Sequence, residues 1–375
     1  MIIREIKAKS ILRRHRKIDS WFLSQYGMNL YRGCTHNCVY CDGRAEKYNV
    51  EGEFGSQVAV KVNALEILSR EIDPARKRIP MKPGYVMVGG GVGDGYQPAE
   101  ETYGLTRQVL ELLYLGNRPI HILTKSTLVE RDLDIIRKIN IRKRAIVSFS
   151  FSSADDRISS IFEPGVPPPS RRLETMAKIK KQGVACGMFL MPVIPFITDT
   201  PEKMADTMKK ACQIGVDFII FGGMTLKEGR QMDYFYSVLQ KHYPELIPHY
   251  AQIYRKDKWG GATREYYGSV EATFLSLAER YKIPLRMPPA LFQDLIDQND
   301  LVVVMLEHMD YVLKLKGRPS PYGFAAYSIS RLKEPVSAMQ GSLRSLKGVG
   351  KVTEGIIREI ARSGRSSYYE RLMGL

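Results

Sequence analysis

Short apolar runs alternate with amphipathic stretches along the first two-thirds of the chain. The runs cover 28–31, 85–88, 120–124, 145–151, 184–190 and 217–221. Between them, apolar residues recur at helical spacing over 61–72, 101–115, 128–139, 170–182 and 201–213. Local punctuation agrees with this division. Thr200 stands as an N-cap, Pro201 at the first helical position and Glu202 in the first turn. Met204, Met208 and Ala211-Cys212 then make one apolar stripe, which predicts a buried Cys212. Gly116, Asn117 and Pro119 end the helix expected over 101–115. Strands alternating with helices at this spacing predict parallel βα units. Six units predict an α/β fold, an open or partial (β/α)6 TIM-like barrel, with its active site at the C-terminal strand ends.

After residue 231 the pattern becomes helical. Helices are expected near 232–241, 265–281 and 291–309, with an extra strand at 284–287. The expected organisation is a basic N-terminal extension over 1–24, the barrel with helical additions over 25–312, a turn-rich connector over 313–340 and a small basic unit over 341–375.

Composition narrows the class. With 44% hydrophobic and 26% charged residues, the chain is neither disordered nor a disulfide-stapled mini-protein. Its apolar runs fall far short of the ~18 residues of a membrane span. The first residues carry no apolar signal region. A cytoplasmic protein without a membrane partner is expected, and a monomer is favoured. The 56 Lys and Arg against 40 Asp and Glu give a net charge of +16. A balance of that sign attracts polyanions, nucleic acid above all.

Three of the five cysteines form Cys34-Thr-His-Asn-Cys38-Val-Tyr40-Cys41. Three thiolates this close on one loop can hold one metal centre. Zinc takes four ligands, commonly as paired C-x2-C knuckles, and only His36 stands by as a fourth. A [4Fe–4S] cluster takes four cysteines, so three leave one iron open to an outside ligand. His36 otherwise reads as a loop residue with an exposed ring. His121 reads as a packing residue.

The C-x3-C-x2-C spacing, with an aromatic residue before the last cysteine and directly after the first expected strand, resembles the signature of the radical S-adenosylmethionine (AdoMet) superfamily. The stretches YRGCTHNCVYCDGR, GDGYQPAE, ILTKS, FEPGVPPPSRRL and MPVIPFITD are similar to its spore photoproduct lyase-like branch. The resemblance implies a partial barrel of the radical SAM type. It also implies a [4Fe–4S] cluster on Cys34, Cys38 and Cys41 whose open iron chelates AdoMet. One electron then cleaves AdoMet to methionine and a 5′-deoxyadenosyl radical. An electron donor such as flavodoxin or ferredoxin follows from the same chemistry.

Carried over residue by residue, the resemblance places Tyr40 against the cofactors. It gives Gly89, Gly90 and Gly91 the AdoMet amino group, with the motif's usual acidic residue absent and Asp94 close by. Lys125 is assigned the AdoMet carboxylate and Ser150 a further contact. Ser148 and Ser150 alternate with Val147 and Phe149 and so share one face of their strand. Tyr96, Gln97 and Glu100 are substrate-site candidates, Tyr96 a catalytic one. Arg172, beside Arg171, is placed to clamp a carboxylate or phosphate. The lyase's hydrogen-donating cysteine would fall at Gly91, so that donor is missing. Cys186, on an expected strand, is the remaining candidate.

The segment Leu346-Lys347-Gly348-Val349-Gly350-Lys351 and the apolar stretch after it resemble a helix-hairpin-helix. Glycines there allow a tight turn whose free N–H groups hold a phosphate, with Lys347 and Lys351 adding charge. Three readings follow: a radical enzyme acting on DNA or RNA, a radical enzyme acting on a peptide or small molecule, and a nucleic-acid-binding protein with a structural or redox-sensing cluster.

Overall fold

The computed structural model describes residues 2–48, 52–75, 80–89, 92–255, 257 and 259–374. Its strands are β1 (Ile2–Ile6), β2 (Leu12–Asp19), β3 (Ser24–Met28), β4 (Tyr31–Arg32), β5 (Gln57–Lys61), β6 (Tyr85–Val88), β7 (Ile120–Thr124), β8 (Ala145–Phe151), β9 (Ala185–Val193) and β10 (Phe218–Gly223). The main sheet runs β10-β9-β8-β7-β6-β3-β2. Its pairs from β3 to β10 are all parallel, and β2 joins β3 antiparallel. Six parallel strands thus stand in sequential order, five of them where expected; the first, expected over 28–31, is β3 at Ser24–Met28, and Tyr31–Arg32 pairs instead with β5 in a separate three-stranded sheet. The sheet stays open, with β2 and β10 as its edges.

Alternation along the strands separates two cores. Val147, Phe149, Phe151, Cys186, Met188 and Ile219 face the crossover helices. Tyr85, Ile146, Phe189, Phe218 and Ile220 face the other way, toward the C-terminal helices. That second face is filled by the helix Gln298–Leu315, apolar almost all round and buried along most of its length. It starts seven residues after the point expected, because its N-cap is Asp297, whose carboxylate accepts from Asp300 N at 2.9 Å. The expected strand at 284–287 is not a strand, although Pro284 O accepts from Ile219 N at 2.8 Å beside β10.

The basic N-terminus supplies two strands. Its charges hid them, since β2 is an edge strand exposed along much of its length, where charge is the usual guard. Cys212 is exposed, with Sγ 3.6 Å from Tyr281 O. Met204, Met208 and Ala211 occupy the centre of the helix's buried face and leave Cys212 at its margin.

The stretch 313–340 carries the helix Tyr322–Ser330, and 341–375 carries the helices Lys351–Ser363 and Ser367–Met373. Ala325, Ile329, Leu343, Val349, Ile357 and Tyr369 all enter the core under Gln298–Leu315. Gly348 is the tight point. Its φ is +85°, and a Cβ there would lie 2.6 Å from Ala325 N. Gly348→Ala is expected to cost roughly 1–3 kcal/mol, from backbone strain together with the contact. A urea midpoint unchanged from wild type would contradict that reading.

Candidate active site

The cysteine loop leaves β4 through Gly33, at φ +85°, and passes through Asn37 at φ +55°. Both residue types tolerate the left-handed region. Three buried side chains then hold the loop. Arg44 donates through Nε to Cys38 O at 3.1 Å and through Nη2 to Asn37 O at 3.2 Å, with its guanidinium 3.6 Å from the Tyr234 ring. Gln97 donates to Gly33 O at 3.1 Å and accepts from Thr35 N at 3.0 Å. His36 sits between Gly165 O at 3.0 Å and Asp94 Oδ2 at 3.1 Å. The exposed ring expected for His36 is thus a buried one, because the loop docks against the turn around Gly165. A Cβ on that glycine would lie 2.6 Å from Thr35 O.

Cys34, Cys38 and Cys41 line one cavity of about 110 Å3 with Asp94, Lys125 and Ser150. Every wall residue stands in the cysteine loop or at a C-terminal end of β6, β7 or β8, the positions expected of a βα active site. Burial raises all three thiols, Cys38 to about 12. Buried thiols become good anionic ligands only when a cationic centre replaces the lost hydration. No three His, Cys, Asp or Glu side chains among the described residues close on a point that would hold a single metal ion. The donor set fits a three-cysteine cluster with an open iron better than a zinc knuckle.

Two buried carboxylates organise the polar side. Asp94 accepts from Thr124 Oγ1 at 2.8 Å, Lys125 N at 2.8 Å and Tyr96 N at 2.8 Å. Burial opposes its ionisation, yet His36 and these donors hold it below the usual range. Glu163 accepts from Lys125 Nζ at 3.1 Å, Arg172 Nη2 at 2.5 Å, Ser159 Oγ at 3.0 Å and the Tyr40 hydroxyl. Burial again opposes ionisation, and Arg172 and Lys125 outweigh it, leaving Glu163 far below the ordinary carboxylate range. Lys125 also donates to Ser150 Oγ at 3.0 Å and Ser150 O at 3.3 Å. Its three protons are therefore all engaged, and it offers the cavity positive charge in a fixed position.

The structure thus brings Cys34, Cys38, Cys41, Lys125 and Ser150 to one cavity, with Lys125 Nζ 5.5 Å from the centre of the Tyr40 ring. Gly89 is beside it at φ +82°. A Cβ there would lie 2.9 Å from Leu123 O, so close approach of β7 already demands glycine. Gly90 and Gly91 lie outside the described residues.

The remaining candidates are internal. Gln97 holds the loop. Glu100 accepts from Thr106 N at 2.9 Å and Arg131 Nη2 at 2.6 Å, and Tyr31 donates to it. Tyr96 is buried in the helix-facing core and does not line the cavity. Arg172 is spent on Glu163, on Ser150 O at 2.7 Å and on the Phe151 ring at 4.6 Å, so it clamps the protein and not a ligand. Cys186 shares the helix-facing side with Val147, away from Ser148 and Ser150. His121 packs as expected, with Ser148 Oγ at 2.8 Å, and burial takes it down to about 4. At the C-terminus, Lys347 Nζ rests 4.9 Å from the Phe324 ring centre, Gly350 caps the helix that Lys351 begins, and Lys351 is exposed. Sequence reading missed Glu163, Arg44 and the His36–Asp94 pair. Glu163 and Arg44 lie inside the family-like stretches FEPGVPPPSRRL and YRGCTHNCVYCDGR, and Asp94 beside the glycines, which were the local signals for them.

The model of the radical SAM superfamily matches residues 28–208. An uncharacterized protein of Mycobacterium bovis is 30% identical over 236 residues, 62% of this chain and 68% of that protein. An uncharacterized protein of Acidianus two-tailed virus is 30% identical over 228 residues, 59% of this chain and 72% of its own. Among solved structures, a spore photoproduct lyase variant aligns with a TM-score of 0.56 at 18% identity, covering 74% of this chain and 79% of that one. Spore photoproduct lyase complexed with dinucleoside spore photoproduct aligns at 0.53 and 16% identity, with the same coverage. At those identities the likeness concerns the fold. With the cysteine signature at the head of a parallel sheet, a matching superfamily model and relatives at this identity, the chain belongs to the radical SAM superfamily, whose cofactors are a [4Fe–4S] cluster and AdoMet.

Proposed function

We propose that this protein cleaves AdoMet reductively and directs the resulting radical at a nucleic-acid substrate, in repair or modification. The observation that carries the cleavage is the single cavity where three thiols meet a fixed ammonium and a hydroxyl. Cys34, Cys38 and Cys41 would hold the cluster. When bound, the cluster and AdoMet supply an electron and a 5′-deoxyadenosyl radical. Lys125 and Ser150 would receive the polar end of AdoMet, Lys125 by giving up its longest bond, to Ser150 O. Asp94 anchors the backbone of Lys125, Glu163 anchors its ammonium, and the His36–Asp94 pair ties the cysteine loop to the end of β7. An electron donor of the flavodoxin or ferredoxin kind is part of the proposal.

The nucleic-acid substrate is supported by the net charge of +16 and by the dinucleoside held by the spore photoproduct lyase of the same fold. The lyase reaction itself is not proposed. By the resemblance its donor cysteine would fall at Gly91, and Cys186 faces the helices.

The test is 5′-deoxyadenosine release by the reconstituted, reduced protein with and without DNA and RNA. Stimulation by either is the expected result. Release indifferent to both would overturn the nucleic-acid reading and leave a peptide or small molecule. Lys351→Glu is the charge control, expected to lower the salt dependence of nucleic-acid binding by about one phosphate's worth. Gly348 is unsuitable for that purpose, because any side chain there meets the Tyr322–Ser330 helix.

A further inference from the structure

A groove of about 730 Å3 opens where edge strand β2 meets the end of β10, beside the helix Gln298–Leu315. It has no part in the cysteine cavity, and it is of the size that holds small ligands. Arg286 stands in its wall, with only 3% of its surface exposed. Nη2 donates to Ser20 Oγ at 3.2 Å. Nε and Nη1 have no hydrogen-bond partner among the described residues. The guanidinium lies 4.8 Å from the Trp21 ring centre and 4.6 Å from that of Tyr311. Tyr311 is itself fixed, its hydroxyl bonding Phe221 N and O at 3.1 Å.

None of the carboxylates on the same wall hydrogen-bonds Arg286 among the described residues. Glu307 pairs with Lys17 and Asp310 with Lys314. Asp19 Oδ1 accepts from Trp21 N at 2.9 Å. Burial pushes the Glu271 carboxyl above its usual range. Burial also pulls Arg286 down, to about 10, which leaves it cationic at neutral pH. Asp19 attracts the guanidinium through space, but a buried cation with no carboxylate hydrogen-bonded to it among the described residues, and two of its nitrogens unpaired, is costly unless an anion completes it. With Trp21 and Tyr311 against the guanidinium, the nitrogens left for a ligand are Nε and Nη1, both buried beneath the groove wall, so an oxyanion reaches these edges as that wall gives way.

We propose that this groove is an anion site, in which Nε and Nη1 of Arg286 receive the oxygens of a phosphate or carboxylate group. The site stands apart from the nucleic-acid reading and does not need the cluster. The end of β10 also neighbours the cysteine cavity. A Cβ on Gly222 would meet the Met191 side chain at 2.5 Å, and Met191 O accepts from Ser150 Oγ at 3.0 Å.

The chain has two tryptophans, so Trp259→Phe leaves Trp21, on the Arg286 guanidinium, as the sole indole. Its emission is titrated with inorganic phosphate, with succinate and with chloride at constant ionic strength. A saturable response to phosphate supports the site and assigns it to phosphate. One to succinate alone supports it and assigns it to carboxylate. The response is expected to vanish in Arg286→Met, which removes a buried charge for an apolar chain, a change that folded proteins commonly accept. Arg286→Lys keeps the charge without the fork and is expected to bind roughly tenfold or more weakly, which serves if the methionine variant does not fold. An equal response to chloride, no saturable response to any anion, or full binding in the folded Arg286 variants would each overturn the proposal.

Discussion

Cys38→Ala is expected to abolish 5′-deoxyadenosine release, with iron content falling in step. Cys38 is one of three thiols on the cavity wall, and its backbone carbonyl is already committed to Arg44 and to Cys41 N. A three-ligand centre with one open iron has no spare protein ligand. Cys186 faces the helices and Cys212 the solvent, so neither can substitute. Losing an interaction that merely orients a metal ligand costs about 10–100-fold in metal affinity or activity, so losing a ligand must exceed that range. Gln97→Leu sets the comparison. It removes the bonds to Gly33 O and Thr35 N, leaves all three thiols, and should fall within that smaller range. Full iron and full cleavage in Cys38→Ala would contradict the assignment of the cluster.

Glu163→Gln is the second large effect, and it is one of stability. Glu163 is buried between Lys125 and Arg172, with Tyr40 and Ser159 donating to it as well. Removing its charge leaves Arg172 fully buried and Lys125 largely so, with no other counter-ion in contact among the described residues. Breaking a buried pair in this way costs about 3–5 kcal/mol. The sign with pH follows from the direction of the shift. The folded-state value is depressed, so the charged form stabilises the fold. That contribution is complete above the ordinary glutamate value of ~4.3 and is lost as pH falls below it. The difference in unfolding free energy between wild type and variant should stay level from neutrality to about pH 5 and shrink at lower pH. Urea titrations across that range measure it, and a difference that grew on acidification would contradict the pairing. Tyr40 and Lys125 both donate to this carboxylate, and Lys125 in turn bonds Ser150, so AdoMet affinity should fall with stability.

Much of this protein was decided locally. The C-x3-C-x2-C spacing places three thiols on one loop whatever surrounds it. The period-2 and period-3.6 patterns locate five of the six parallel strands, because neighbours in sequence already determine which face is apolar; the first, β3, lies four residues before its expected place. Thr200 and Pro201 mark where their helix begins by backbone chemistry alone. The roles of charged residues were decided only by tertiary structure. Glu163 and Lys125 are 38 residues apart and His36 and Asp94 are 58 apart, and nothing near either residue announces its partner. Arg172 and Gln97 look like ligand-facing residues in a linear reading, since polar side chains are usually exposed. They are internal because the cysteine loop and the end of β8 have backbone carbonyls that must be satisfied once buried. The same reason hid β2, whose charges suit an edge strand as well as a tail, and Arg286, whose unpaired nitrogens acquire meaning only when β2, β10 and the helix Gln298–Leu315 come together. Sequence determines which side chains are available, but the cost of burying a charge without a partner depends on what folds around it.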